Sequence, residues 1–233
     1  MKLRSAIFII ALIIIIDQAL KIYIKTTYPT GEIVRVMGMD WFRIHFIENS
    51  GMAWGWKLGD ETGKVILTLF RLVAVIFGSW LLVKFVREKY SRGFIVCAAL
   101  IYAGALGNLI DSMFYGMIFD KGLHFDPLAK DYIPYAGVAS FSSDGYSSFL
   151  HGSVVDMLYF PMIKTHFPSW FPFVGGAEFE FFSPIFNIAD ASISVGVITL
   201  LIFQKRFFKK LEPAKSRSTV ETGAENNDRV EVL

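Results

Sequence analysis

Residues 6–21 read AIFIIALIIIIDQALK. Apolar side chains run unbroken from Ala6 to Ile16, and Asp17, Gln18 and Lys21 then arrive before the hydrophobic pattern ends. A helix needs about 20 apolar residues to cross the hydrocarbon core of a bilayer, and the run from Leu3 to Ile24 is long enough. An ionisable group inside such a helix costs about 2.5–3.5 kcal/mol at its centre on insertion scales. Asp17 and Lys21 therefore need a reason to be there. Lys2 and Arg4 before an apolar core could also open a secretory signal. No small-x-small cleavage pattern follows where one is needed, so a retained helix is expected.

The rest of the chain has the same character. Its mean hydropathy is +0.47 and 54% of its residues are hydrophobic, more than a soluble domain usually carries. Further spans are expected from about Val65 to Val86, Phe94 to Ile110 and Ile185 to Phe203, the last started by Ser183-Pro184. The net charge of +2 is too small to suggest nucleic acid. Cys97 is the single cysteine, so no intrachain disulfide can form. No H-E-x-x-H, G-x-S-x-G, phosphate-binding loop or C-x-x-C occurs, which leaves the common metal, serine and nucleotide chemistries without support. No metal and no cofactor is expected.

Basic residues set the orientation. Lys2 and Arg4 precede the first span, Lys84, Arg87, Lys89 and Arg92 join the second and third, and Lys205, Arg206, Lys209 and Lys210 follow the fourth. A four-span layout puts all three clusters on one side, with both termini cytoplasmic and two long loops outside. Residues 32–56 alternate apolar and polar and are rich in Val, Ile, Phe and Trp, so they are expected to form a small strand assembly at the outer surface. Residues 117–150 read as an outer insertion. Residues 1–211 form the expected membrane domain, and the polar residues 212–233 a disordered cytoplasmic tail.

This orientation gives the intramembrane polar residues one depth. Asp17 and Lys21 end the first span, Arg71 lies near the start of the second, Asn108 and Asp111 end the third, and Asn187 and Asp190 begin the fourth. All are in outer halves, and Asp156, in HGSVVDMLYF, sits in a short apolar stretch on the same side. Spacing puts Gly104, Asn108 and Asp111, and also Asn187, Asp190 and Ser194, on single helix faces. Gly104, Ala105 and Gly107 are small enough for close helix approach. Plain structural roles cover several of these residues. Asp17 and Lys21 at i,i+4 read equally as a neutralised packing pair. The asparagines can simply bond between helices. Arg71 is expected to snorkel to the interface, and His151 reads as a loop residue. Asp156 and Asp190 are harder to explain, because neither has a local basic partner. Two facing carboxylates in a dry cavity cannot easily both ionise, which suits acid–base hydrolysis. A small proton or ion carrier would use such carboxylates too, but it needs polar residues along the inner halves, which are almost purely apolar. A Ser/Lys protease dyad lacks a suitable membrane-proximal pair.

DQALK, NSGMAWG, GALGNLID, VVD and FNIAD occur in this order. Together they resemble the lipoprotein signal peptidases (signal peptidase II), membrane aspartyl proteases of the bacterial inner membrane. The resemblance runs from about Ile7 to Ile202. It implies an all-α membrane protein of four transmembrane helices with a small β-structured cradle on the periplasmic side. It also implies removal of signal peptides from prolipoproteins, by cleavage before the diacylglyceryl-modified cysteine. Asp156 and Asp190 then stand as the catalytic dyad. Asp17, Lys21, Asn49, Gly51, Asn108, Asp111 and Asn187 stand as supporting or substrate-orienting residues. The implied partners are the lipid-modified substrate and membrane lipid, with the enzyme a monomer. One departure is Ser112, which stands where the family usually carries Arg after GNLID. Arg71 is the candidate to replace it.

Overall fold

The computed structural model describes residues 1–50, 61–166, 168–181 and 184–208. Among them are four long helices, α1 (Leu3–Lys25), α2 (Glu61–Arg87), α3 (Arg92–Ile118) and α4 (Ile188–Phe208). All four are long and apolar enough to cross a membrane. The expected tail at 212–233 lies outside the described residues.

Two helix boundaries differ from the sequence expectation. α3 begins where Ser91 caps the Phe94 N–H, but it runs two turns past Ile110. Asp111 and Ser112 look like an ending in sequence. In the fold they are buried and bonded to neighbouring helices, so the helix continues through them. α4 begins at Ile188, not at Ile185. The Asn187 carboxamide oxygen accepts the Asp190 N–H at 2.8 Å, and the Asp190 carboxylate faces the Asn187 N–H at 3.4 Å. This reciprocal cap satisfies backbone donors that a helix start leaves open. Of the expected Ser183-Pro184 start, Ser183 lies outside the described residues, and Ile185–Phe186 is a strand.

α3 is the centre of the bundle. Half of its apolar window is buried, against 22%, 17% and 17% for α1, α2 and α4. Its glycines permit this. A Cβ at Gly104 would stand 2.2 Å from the Ala189 carbonyl oxygen, and one at Gly107 would stand 2.9 Å from Asp17 Oδ2. α4 and α1 could not approach so closely over any larger residue.

The two ends of the bundle differ. At one end Ala6 and Ile10 of α1 pack with Leu82 of α2 and with Ile95 and Ala99 of α3. Gly93 lies against the Phe207 ring of α4. This packing gathers the basic residues at the start of α1, between α2 and α3, and at the end of α4.

The other end carries β structure. The strands are β1 (Ile33–Arg35), β2 (Arg43–Asn49), β3 (His124–Asp126), β4 (Asp131–Ile133), β5 (Val154–Tyr159), β6 (Ile163–His166), β7 (Glu178–Phe181) and β8 (Ile185–Phe186). They form an antiparallel four-stranded sheet in the order β1-β2-β5-β8 and two hairpins, β3-β4 and β6-β7. The strands expected within 32–56 are present as β1 and β2, and residues 51–56 lie outside the described residues. An all-α description with one small cradle understates this end. Its central strand β5 was read only as an apolar stretch. All six residues of β5 are buried, so it lacks the alternation that marks a half-buried strand. Of the insertion at 117–150, residues 117–118 complete α3, and the β3-β4 hairpin lies within the remainder.

Candidate active site

The polar side chains meet where the strands reach the helices. Lys21 projects from α1 and places its Nζ 2.8 Å from Asp17 Oδ2, 2.8 Å from Asp111 Oδ2 and 2.9 Å from Asn108 Oδ1. An ammonium has three donors, and these acceptors match them. Lys21 and Asp111 are 0% exposed and Asp17 is 1% exposed, so this is a fully buried network. Gln18 extends it, donating to Asp111 Oδ1 at 2.7 Å and accepting from the Tyr115 hydroxyl at 3.1 Å. Asp17 also accepts the Ala189 N–H at 2.9 Å and so helps cap α4. Asp17 and Lys21 are thus ion-paired, and Asp17 also helps to hold the start of the helix that carries Asp190.

Asp190 occupies the third position of α4. Its Oδ1 accepts from Asn108 Nδ2 at 2.8 Å. Asp156 lies in the middle of the sheet, opposite Ile47 of β2. Its Oδ1 accepts from Asn187 Nδ2 at 2.7 Å and its Oδ2 from Asn49 Nδ2 at 3.4 Å. Asn187 thus joins the two carboxylates, capping the helix of one and donating to the other. Asn187 Nδ2 also lies 3.0 Å from Asn108 Oδ1, which closes the link to Lys21. The fold brings Asp156, Asp190, Asp17, Lys21, Asn49, Asn108, Asp111 and Asn187 into one connected set. Gly51 lies outside the described residues.

The electrostatics set Asp156 apart. Burial above all, and then the charge of Asp190, push its carboxyl up to about 8, while Lys21 and the Asn49 amide pull the other way. Its carboxyl therefore keeps a proton to higher pH than an ordinary aspartate does. Such a carboxyl can donate a hydrogen bond to a carbonyl oxygen while an ionised neighbour takes a proton from water. Among the described residues no group of three or more His, Cys, Asp and Glu side chains is arranged to hold a metal ion.

Several contacts differ from expectation or add to it. Arg71, expected at the interface, bonds to α3 as well: its Nη1 donates to Ser112 Oγ at 3.0 Å. A Ser/Lys pair, which the sequence reading did not find, joins Lys64 Nζ of α2 to Ser153 Oγ at 3.1 Å, just before β5. Lys25 and Glu48 form a second buried ion pair that ties α1 to β2, and Glu48 also accepts the Leu123 N–H at 3.0 Å. Its only sequence signal was the i,i+4 spacing of Lys25 after Lys21. His151 is a loop residue whose Nδ1 lies 2.9 Å from Ser148 Oγ.

The family profile described as Signal peptidase (SPase) II matches residues 9–206. The chain belongs to the signal peptidase II family. The lipoprotein signal peptidase of Porphyromonas gingivalis is 47% identical over 199 residues, covering 85% of this chain and 81% of the relative. That of Amoebophilus asiaticus is 31% identical over 219 residues, covering 92% and 83%. A bacterial membrane enzyme solved by the in meso method at 2.3 Å superposes with a TM-score of 0.54 at 25% identity, covering 91% of this chain and 94% of its own. A second, solved at 1.9 Å, gives 0.50 at 26% identity, with 87% and 93% covered. As a member of the signal peptidase II family the chain is a peptidase, and its four apolar helices make it a multi-pass bacterial membrane protein. Membership does not favour the proton or ion carrier reading.

Proposed function

We propose that this peptidase removes signal peptides from prolipoproteins by cutting before the diacylglyceryl-modified cysteine, with Asp156 and Asp190 as its catalytic dyad. The observation that carries this reading is Asn187, which bonds Asp156 and caps the helix of Asp190. Asp190, ionised, takes a proton from water as the oxygen attacks the scissile carbonyl carbon. Asp156 gives its proton to the carbonyl oxygen. Collapse of the tetrahedral intermediate breaks the C–N bond, and the departing nitrogen takes up a proton from the dyad. No covalent intermediate forms, and no metal or cofactor takes part. Asn49, Asn108 and Asn187 orient the carboxylates and the substrate. Asp17, Lys21 and Asp111 hold the helices that carry them, and Gly51 is a supporting residue of the same NSGMAWG motif as Asn49.

The basic end of the bundle is the cytoplasmic one by the distribution of Lys and Arg. Both termini then lie inside, and the dyad and the sheet face the periplasmic side of the inner membrane. Trp41, Phe42 and Phe160 stack beside the sheet, with Phe42 and Phe160 centroids 4.8 Å apart, and Trp41 is exposed. Such aromatics suit the membrane interface. The signal helix of the substrate and its diacylglyceryl group lie in the bilayer, and one copy of the chain supplies every residue of the site. The test is incubation with a diacylglyceryl-modified prolipoprotein and mass measurement of the products. Cleavage just before the modified cysteine is expected. An intact substrate, or cleavage elsewhere, overturns the reading.

A further inference from the structure

Asp17 and Asp111 share the single positive charge of Lys21. When one member of the dyad ionises, a third negative charge enters the same poorly solvated region. Buried charge of one sign is costly there unless a cation answers it. Arg71 is placed to do so. It projects from α2, and its Nη1 donates to Ser112 Oγ at 3.0 Å. Ser112 is buried and donates in turn to the Asn108 carbonyl oxygen at 3.0 Å, and the Asn108 side chain bonds Asp190 at 2.8 Å. The carboxylates that feel the Arg71 charge are Asp190 most strongly, then Asp111 and Asp156.

We propose that Arg71 is a positioning residue that holds Asp190 as the ionised member of the dyad, and that Ser112 fixes its guanidinium in place. The groups that bear on Asp190 are Arg71 from α2, Asn108 from α3, the Asn187 N–H before α4 and Asp156 from β5; Lys21 of α1, with Asp17 and Asp111, is linked to it through Asn108. Lys21 is bonded directly to Asp17 and Asp111, whereas Arg71 is linked to Asp190 through Ser112 and Asn108. An arginine suits this task because it stays charged even when buried. The inference rests on the dyad reading above.

The experiment measures kcat and KM for a diacylglyceryl-modified prolipoprotein in Arg71→Gln, Arg71→Lys and Ser112→Ala, beside Asp190→Asn. Arg71→Gln is expected to lower kcat by about 10–100-fold, the scale of a misplaced catalytic group, with KM little changed. Its acid limb should move to higher pH. Arg71→Lys should recover most of kcat. Ser112→Ala, which keeps the charge but frees it, should lower kcat by about 3–10-fold, the scale of one lost hydrogen bond. Full kcat in Arg71→Gln overturns the proposal. So does a loss confined to KM, or an Arg71→Lys variant no better than Arg71→Gln. If Arg71→Gln does not fold, unchanged kcat and an unchanged acid limb in Ser112→Ala overturn it instead. An active Asp190→Asn would sink the dyad itself, a result distinct from any of these.

Discussion

Two pairs of carboxylates lie side by side in this molecule and are treated in opposite ways. Asp17 and Asp111 share Lys21 at 2.8 Å each, with Gln18 completing their bonds. Asp156 and Asp190 are reached by amides, from Asn187, Asn49 and Asn108, and among the described residues no salt bridge touches either. The first pair is held in place by one shared ammonium and can brace helices. The second is the pair proposed to move a proton. Burial alone does not separate the two pairs, since Asp111 and Asp156 are both nearly inaccessible. The kind of partner separates them: Asp111 meets an ammonium, whereas Asp156 meets only amides.

The sharpest way to break this comparison is to exchange each carboxylate for its amide. Asp156→Asn and Asp190→Asn should each lower cleavage by about 10³-fold or more, as expected when a positioned acid or base is lost. Asp111→Asn should leave the folded enzyme within about tenfold of the parent rate, because the change costs one hydrogen-bonded partner of Lys21 and no catalytic group. Rates on a lipid-modified prolipoprotein in detergent, normalised to folded protein, decide the matter.

Lys21→Met tests the bracing pair. It strands two buried carboxylates, and breaking a buried pair by removing one partner costs about 3–5 kcal/mol. Thermal unfolding in detergent should show that loss. A neutral effect would mean that Asp17 and Asp111 need no cation.

Asn187→Ala acts where the two carboxylates of the dyad are joined. It removes a helix cap worth about 1 kcal/mol. It also releases Asp156, and a 1 Å misplacement of a catalytic group costs about 10² in rate. A loss of stability with no loss of kcat would reduce Asn187 to a cap.

A separate effect is on stability against pH. An ordinary aspartate has a pKa of about 3.9, whereas Asp156 in the folded protein stands at about 8. Below about pH 4 the carboxyl is protonated in both states and adds no slope. From there to about 8 the folded state keeps a proton that the unfolded state has lost, so this residue makes stability fall as pH rises. Asp156→Asn should flatten that slope in unfolding midpoints measured across the window, and an unchanged slope would count against the buried proton.

The comparison also explains what could be read in advance. The four spans were legible because apolar runs of this length have few other uses. The shared depth of Asp17, Asn108, Asp111, Asn187 and Asp190 followed from the spans and the basic clusters. The end of α3 and the start of α4 were not legible, because Asp111 and Asn187 look like punctuation until their partners are known. Strand β5 was missed because a strand buried on both faces has no alternation. Arg71 was assigned to the interface because its partner, Ser112, lies 41 residues away on another helix. Lys64 and Ser153 are 89 residues apart and carry no local pattern at all. The candidate site residues could be named from motifs, but which carboxylates meet an ammonium and which meet amides depended on contacts between elements.

The most direct test of that division is infrared spectroscopy of the resting protein at pH 7 with isotope-labelled aspartate carboxyls. A protonated-carboxyl band should be present, vanish in Asp156→Asn and persist in Asp111→Asn. A band that survives in Asp156→Asn, or that disappears in Asp111→Asn, would contradict the account.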